Sequence, residues 1–297
     1  SRHSTANTMS STESNTHRSG DSGYDRRDDE HRRDGPKLHR LAGRQNGLHV
    51  QYDRLVPEML EEDFDTVFEQ CPRRGYRGIN VTYPYKERAA TKVTITDPLV
   101  REIGAVNTVV FDGETAHGFN TDYSGFITGY RKIKGQEVPG ISCLIGSGGV
   151  GRALAFGLVA LGASEIRLVD RDESKALALA NQLNSVDNAP LIRVFTDAAN
   201  AAHGATGLLN GTPVGMVGLS GTPLPREAMR NAKWAFDAVY TPVDTQFLQH
   251  AAAERLKVIS GYELFFYQGI HAWTHFSGLK LDEMQLRRDL HREREVA

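Results

Sequence analysis

The run Gly146-Ser147-Gly148-Gly149-Val150-Gly151-Arg152-Ala153 joins an apolar pentapeptide, Ile141-Ser142-Cys143-Leu144-Ile145, to a helical pattern from Val150 to Leu161. A glycine-rich turn from a buried strand into a helix lets the backbone approach a pyrophosphate closely. No side chain stands in the way, and the free N–H groups and positive dipole end of the helix face the anion. A second apolar run, Glu165-Ile166-Arg167-Leu168-Val169, ends at Asp170. An acid about 20 residues beyond the glycines accepts from the 2′- and 3′-hydroxyls of an adenosine ribose. Strand, glycines, helix, strand and terminal acid in that order describe a dinucleotide pocket for a nicotinamide or flavin cofactor. Gly146, Ser147, Gly148, Gly149, Val150 and Gly151 form its cradle. The Asp170 carboxylate would repel a 2′-phosphate, so NAD is expected in preference to NADP, with Arg171 directly after it softening that preference.

A loop of this kind needs a sheet to present it. Between residues 126 and 260 apolar strands and amphipathic helices alternate: 141–145, 150–161, 165–170, 174–183, 191–195, 207–209, 234–239, 245–255 and 257–259. Alternation on that scale implies a doubly wound parallel sheet with right-handed crossovers. An earlier block has a helical stripe at Leu38, Leu41 and Ala42, a strand over 50–55, a helix over 63–70, and a short strand at Gly78-Ile79-Asn80-Val81 running into a turn at Pro84. A strand over 104–111 and a loop over 118–122 follow, so residues 36–125 read as one α/β domain. After Gly261 an aromatic-rich helix, Tyr262 to Phe276, is expected to return to that first domain, which helices over 262–290 would complete.

Lys and Arg number 35 against 37 acids, a net charge of −2, so nothing advertises nucleic acid or an anionic membrane surface. Cys71 and Cys143 lie far apart, one of them inside an apolar strand, which argues against a disulfide framework and suits a reducing cytoplasm. No apolar run approaches the roughly 20 residues that span a bilayer, and no apolar core of a signal peptide is present. Residues 1–35 contain no Leu, Ile, Val or Phe and carry a dense charge run over 25–34; they are expected to stay disordered or to be an aberrant N-terminus.

Four further clusters combine polar groups with rigid turns: Asn80-Val81-Thr82-Tyr83-Pro84-Tyr85-Lys86, Gly104-Ala105-Val106-Asn107-Thr108, Gly118-Phe119-Asn120-Thr121-Asp122, and Asn210-Gly211-Thr212-Pro213-Val214-Gly215-Met216. With Asp237-Ala238-Val239-Tyr240-Thr241-Pro242 and Gly261-Tyr262-Glu263-Leu264-Phe265-Phe266-Tyr267-Gln268, they make the chain resemble the shikimate dehydrogenase family from about residue 36 to residue 276. The pairing of Tyr83-Pro84-Tyr85-Lys86 with Asp170 is most similar to the NAD-using quinate/shikimate dehydrogenases of actinobacterial type.

The resemblance implies an N-terminal α/β substrate (catalytic) domain beside a Rossmann-type NAD domain over 126–261. It also implies hydride transfer between the nicotinamide and a hydroxyl-bearing carbon of a cyclic carboxylic acid. Lys86 and Asp122 would be the catalytic pair, held as one coupled proton-handling unit because an adjacent carboxylate raises a lysine pKa that burial lowers. Thr82, Asn107 and Gln268 would bond the substrate hydroxyls, and Tyr240 would wall the cleft near its carboxylate. Ala238, Val239 and Gly261 would give backbone contacts to the nicotinamide end. All would have to meet between the domains. The small-molecule substrate is the only partner implied, for a monomer or homodimer. Taken singly, Lys86 is also a solvated lysine after a proline turn, Asp122 a helix N-cap and Asn107 a turn residue.

His271 and His275, four apart on the aromatic helix, would suit a metal, but Ala272 stands where a zinc protease helix has Glu and no third ligand is signalled, so no metal is expected. Family members start with an apolar strand and a Ser-x-Ser or Ser-x-Thr pair that holds the substrate carboxylate. Here the strand is missing from the pattern, and the two hydroxyl positions fall on Arg33 and Gly35. Two lost hydrogen bonds to a charged carboxylate would cost roughly 1.5–3 kcal/mol each. A catalytically weak or inactive metabolite-binding protein of the same fold is therefore the alternative to an enzyme.

Overall fold

The two sheets fall in different units of the computed structural model, which describes residues 9–12 and 26–296. The units are Ser1–Thr121 with Gly269–Ala297, and Asp122–Gln268. The first contains β1 (Met9–Thr12), α1 (Arg26–Gln45), β2 (Tyr52–Leu55), α2 (Pro57–Leu60), α3 (Phe64–Gln70), β3 (Gly78–Val81), α4 (Lys86–Ala90), α5 (Pro98–Ile103), β4 (Thr108–Asp112) and β5 (Thr115–Phe119). Its sheet runs β2-β1-β3-β4-β5. β1 is parallel to both of its neighbours, whereas β3, β4 and β5 are antiparallel.

Two expectations are corrected in this unit. Residues 1–35 are not wholly outside the fold: Met9–Thr12 pairs between β2 and β3, and α1 begins at Arg26. A strand made of Met-Ser-Ser-Thr is held by backbone ladders, so apolar periodicity misses it. Nor is 118–122 a loop, because Gly118 and Phe119 end β5 and Thr121 opens a helix. The hairpin signal was present as Asp112-Gly113: Asp112 faces Thr115 across a two-residue loop, and Gly113 takes the positive φ of 59° that such turns demand.

The second unit begins in α6 (Thr121–Lys134) and continues with β6 (Ile141–Ile145), α7 (Gly149–Ala160), β7 (Glu165–Val169), α8 (Glu173–Asn184), β8 (Leu191–Phe195), α9 (Ala198–Ala202), β9 (Gly207–Asn210), β10 (Trp234–Asp237), α10 (Gln246–Ala253), β11 (Lys257–Ile259) and the first half of α11 (Gly261–Ser277). All six strands are parallel in the order β11-β10-β9-β6-β7-β8, so the winding direction reverses between β6 and β9. Phe126 and Tyr130 of α6 pack edge-on against Phe236 and Trp234, at centroid distances of 5.0 and 5.2 Å. Gly125 weakens the helical signal of α6 yet is needed for packing. A Cβ there would lie 2.8 Å from the Gln268 nitrogen.

The second half of α11 packs within the first unit. Ala272, Trp273 and Phe276 form a buried cluster with Ala42 and Val50, and Trp273 Nε1 donates to Asn46 Oδ1 at 2.9 Å. The chain closes with α12 (Glu283–Val296), whose Leu286 and Leu290 are buried. On α11, the His275 ring stacks on Phe119 at 3.6 Å. Burial pulls the His275 pKa down to about 4, and burial also lowers that of His271, opposed by Glu283. Between about pH 7 and pH 5 the unfolded chain therefore takes up protons that the folded histidines refuse, and stability falls on acidification. His275→Phe keeps the ring stack and removes one of these groups. Calorimetry should show its Tm falling a few degrees less than wild type over that interval; an equal fall would exclude His275 as a source of the acid sensitivity.

Candidate active site

In the first unit three strand ends line up. β3 and β4 place Asn80 opposite Thr108, and β4 and β5 place Thr108 opposite Phe119, so the residues just beyond, Val81, Asn107 and Asn120, form the next row. Backbone bonds fix that row: Val81 N–H donates to Asn107 O at 2.8 Å, and Asn107 N–H to Phe119 O at 3.0 Å. Thr82 is buried, and its carbonyl accepts from Tyr85 N–H at 3.0 Å, closing the turn that delivers Lys86 to the first position of α4. Lys86 is half-buried, and its carbonyl accepts from Val106 N–H at 3.0 Å, which brings the Gly104–Thr108 cluster against the start of α4.

The supports of α4 come from α2 and α3. The Tyr85 ring stacks on Phe64 at 4.7 Å, and its hydroxyl donates to Glu58 at 3.2 Å. Asp65 accepts from Arg88 Nε at 2.9 Å and pairs with Lys92 Nζ at 3.1 Å; the Arg88 guanidinium holds the Asp65 carboxyl down to about 2. Asn107, read from sequence as a substrate contact, uses its side chain internally: Oδ1 accepts from Thr121 N–H at 2.8 Å and Nδ2 donates to Thr121 Oγ1 at 3.0 Å. That bond sets where α6 starts, and so places the half-buried Asp122 in its first turn.

In the second unit the glycine turn lies at the carboxyl edge, where the winding reverses. Gly146 has φ 101°, and a Cβ on Gly151 would stand 2.1 Å from the Gly146 carbonyl oxygen, so the turn closes only without side chains. A Cβ on Gly211, which follows β9, would lie 3.2 Å from Gly151 Cα. By contrast, Cβ atoms on Gly148 or Gly149 would meet nothing within 4 Å, leaving open space over the amino end of α7. Ser147 N–H donates to Asp170 Oδ2 at 2.7 Å, and Asp170 Oδ1 accepts from Asp172 N–H at 2.9 Å. Ser147 Oγ is buried without a hydrogen-bond partner. A tight glycine cradle, open space before a helix amino end and an acid tied to the first loop amide all fit the phosphates and ribose of a dinucleotide. Val150 is half-buried, and Arg171 is exposed beside Asp170.

Sequence reasoning named the 210–216 and 237–242 clusters without seeing what joins them. Asp237, fully buried at the end of β10, accepts from Asn210 Nδ2 at 3.1 Å, Val239 N–H at 2.9 Å and Thr245 Oγ1 at 2.7 Å. Burial pushes its carboxyl up to about 7 against those three donors. Asn210 in turn accepts from Thr212 N–H at 3.0 Å and donates to Val214 O at 3.0 Å. Ala238 and Val239 are buried on the loop so fixed, and Gly261 sits where a Cβ would press within 2.5 to 2.7 Å of the Asp237, Ala238 and Val239 carbonyl oxygens. Tyr240 stacks on Phe265 at 5.0 Å, and Gln268 is buried beside Gly125. Among the described residues no group of three or more His, Cys, Asp or Glu could hold a metal ion, and no helix is long and apolar enough to cross a membrane.

The second unit is a Rossmann-type NAD(P)-binding fold, and the first is the partner unit that such oxidoreductases use for substrate. The family model described as shikimate dehydrogenase substrate binding domain matches residues 33–109, and one described as NADP oxidoreductase coenzyme F420-dependent matches residues 142–214. Shikimate dehydrogenase (NADP(+)) of Pseudarthrobacter chlorophenolicus is 33% identical over 258 residues, covering 85% of this chain and 88% of that protein. Quinate/shikimate dehydrogenase (NAD(+)) of Corynebacterium glutamicum is 31% identical over 260 residues, covering 85% and 91%. The structure of quinate dehydrogenase from Corynebacterium glutamicum in complex with NAD superposes with a TM-score of 0.83 at 26% identity, covering 96% of this chain and 98% of that one. The chain belongs to the shikimate dehydrogenase family of NAD(P)-dependent oxidoreductases.

The two kinds of glycine in the turn separate experimentally. Gly151→Ala forces a Cβ into a backbone oxygen and should lower Tm by the equivalent of about 1–3 kcal/mol. Gly148→Ala enters open space and should leave Tm unchanged while weakening dinucleotide binding at least severalfold in a fluorescence titration. Unaltered binding by Gly148→Ala would remove the pyrophosphate from this turn.

Proposed function

We propose that this chain moves a hydride between a nicotinamide dinucleotide and the hydroxyl-bearing ring carbon of shikimate, quinate or both, with NAD preferred over NADP. The observation that carries the reading is the glycine turn at the β6/β9 reversal, with Asp170 bound to its first amide, in a chain of this family. A bound dinucleotide supplies the hydride acceptor. Oxidising the alcohol also requires its proton to leave, and we assign that task to Lys86 and Asp122 as one coupled unit without naming either as the base.

Thr82, Asn107 and Gln268 serve the substrate hydroxyls, and Tyr240 the carboxylate side. Asn107 does so while anchoring α6 through Thr121. The backbone at Ala238, Val239 and Gly261 meets the nicotinamide end. Asp170 receives the ribose hydroxyls and repels a 2′-phosphate, while Arg171 tempers that preference; relatives named for each cofactor fit a choice made at so few residues. A small molecule is the partner of a monomeric or homodimeric cytoplasmic protein, with no nucleic acid or membrane involved.

One observation favours a second reading, a metabolite-binding protein of the same fold with little turnover. Gly35, at a position where the family carries a substrate-binding hydroxyl, is a buried glycine inside α1; the Arg33 side chain lies outside the described residues. Absorbance at the NADH band with quinate and shikimate separates the two. The enzyme reading expects reduced cofactor from at least one acid, a loss of about 10²- to 10⁴-fold in kcat for Lys86→Ala, and a narrowed NAD-over-NADP ratio for Asp170→Ala. No reduced cofactor from either acid, by protein that still binds NAD, selects the second reading.

A further inference from the structure

The buried chain of hydrogen bonds behind the carboxyl edge of the second sheet runs beneath the surfaces assigned to substrate and cofactor and ends on the loops that carry them. It begins at Thr245, the N-cap of α10, whose hydroxyl both accepts from Leu248 N–H at 3.2 Å and donates to Asp237 Oδ2 at 2.7 Å. Asp237 Oδ1 then receives Val239 N–H from the turn after β10 and Asn210 Nδ2 from the end of β9. Asn210 passes the link to the turn after β9, through its bond to Val214 O and the amide of Thr212. Asn210, Asp237 and Thr245 are 0%, 0% and 1% exposed.

A carboxylate in so dry a place is costly to keep, and an apolar residue would pack there without that cost. What the carboxylate does that an apolar residue cannot is accept from three donors on three separate segments at once. The adjoining strand pairing does not fix these turns by itself, because Asp237 and Asn210 are the last paired residues of β10 and β9. Farther out Val217 N–H donates to Thr241 O at 3.0 Å; at the base of the two loops Ala238 N–H donates to Asn210 O at 2.9 Å, and the side-chain bonds to Asp237 and Asn210 tie the first residues of both loops together.

We propose that Asp237, oriented by Thr245, is a positioning residue for the nicotinamide end of the cofactor: its carboxylate locks the loops after β9 and β10 into the one arrangement that receives the ring. The inference rests on the dinucleotide reading of this unit. It assigns Asp237 no contact with cofactor or substrate; the residue acts through the backbone at Val239 and through Asn210.

The test is NADH affinity by fluorescence titration of the full chain, with Tm and amide hydrogen exchange measured on the same samples. Asp237→Asn keeps the shape and removes the acceptor strength; Thr245→Val removes the orienting hydroxyl, and Thr245→Ser restores it. Expected are folded Asp237→Asn and Thr245→Val proteins that bind NADH about tenfold more weakly than wild type. Their Val239 and Val214 amides should exchange faster, and Thr245→Ser should bind as wild type does. Leu183→Ala, a cavity in the buried face of α8, serves as the structural control: it should lower Tm and leave NADH affinity within about twofold. Folded variants that bind NADH as tightly as wild type, or a Thr245→Ser that fails to rescue, overturn the positioning role. If Asp237→Asn does not fold, Thr245→Val against Thr245→Ser decides alone. Wild-type protein that binds neither NADH nor NADPH overturns the dinucleotide reading and this inference with it.

Discussion

Three glycine backbones in van der Waals contact hold the cofactor half of this protein together. Gly146, Gly151 and Gly211 meet where the strand order reverses, and a single Cβ on Gly151 would stand 2.1 Å from a carbonyl oxygen. That contact lets α7 start close behind β6, so its free amides face outward over the open space at Gly148 and Gly149. It also seats the turn after β9 against the turn after β6, because Gly211 N–H donates to Ile145 O at 2.7 Å. The adjoining network at Asp237 then extends the same edge to β10. Backbone proximity builds the rim from β6 to β9, and buried polar side chains carry it on to β10.

The first unit solves its problem differently. Polar side chains at its strand ends serve as structural ties, as when the Asn107 amide both sits at a strand end and starts α6. Lys86 is carried on a helix of five residues, too short to be stable from its own hydrogen bonds, so it borrows order from Phe64, Glu58 and Asp65 on the neighbouring helices. The exposed Asp65 ion pairs contribute little to global stability. Their effect is to restrict where α4 points.

Much of the second unit was legible because its central strands β6, β7, β9 and β10 are buried on both faces and read as apolar runs, with glycine and Asp170 at the turns. α6 was less legible, since Gly125 and Gly129 dilute the helical pattern for a reason visible only in three dimensions, the close approach of α11. β5 was missed although Asp112-Gly113 marked its hairpin. Asp237 was named as part of a motif, but its role was not readable, because its partners lie 27 and 8 positions away and only folding brings them together. The substrate side was legible through resemblance alone: lysine, aspartate and asparagine in turns carry no periodic signal.

The strand Met9–Thr12 has a consequence for how the chain tolerates trimming. It lies between β2 and β3 and satisfies ladder groups on both of them. A protein shortened past Thr12 would not merely lose a margin; it would open a slot in the middle of a sheet, with two facing rows of bare amides and carbonyls. Such a slot invites an extended segment of another molecule to fill it, so N-terminal clipping should turn a self-contained sheet into a self-associating one.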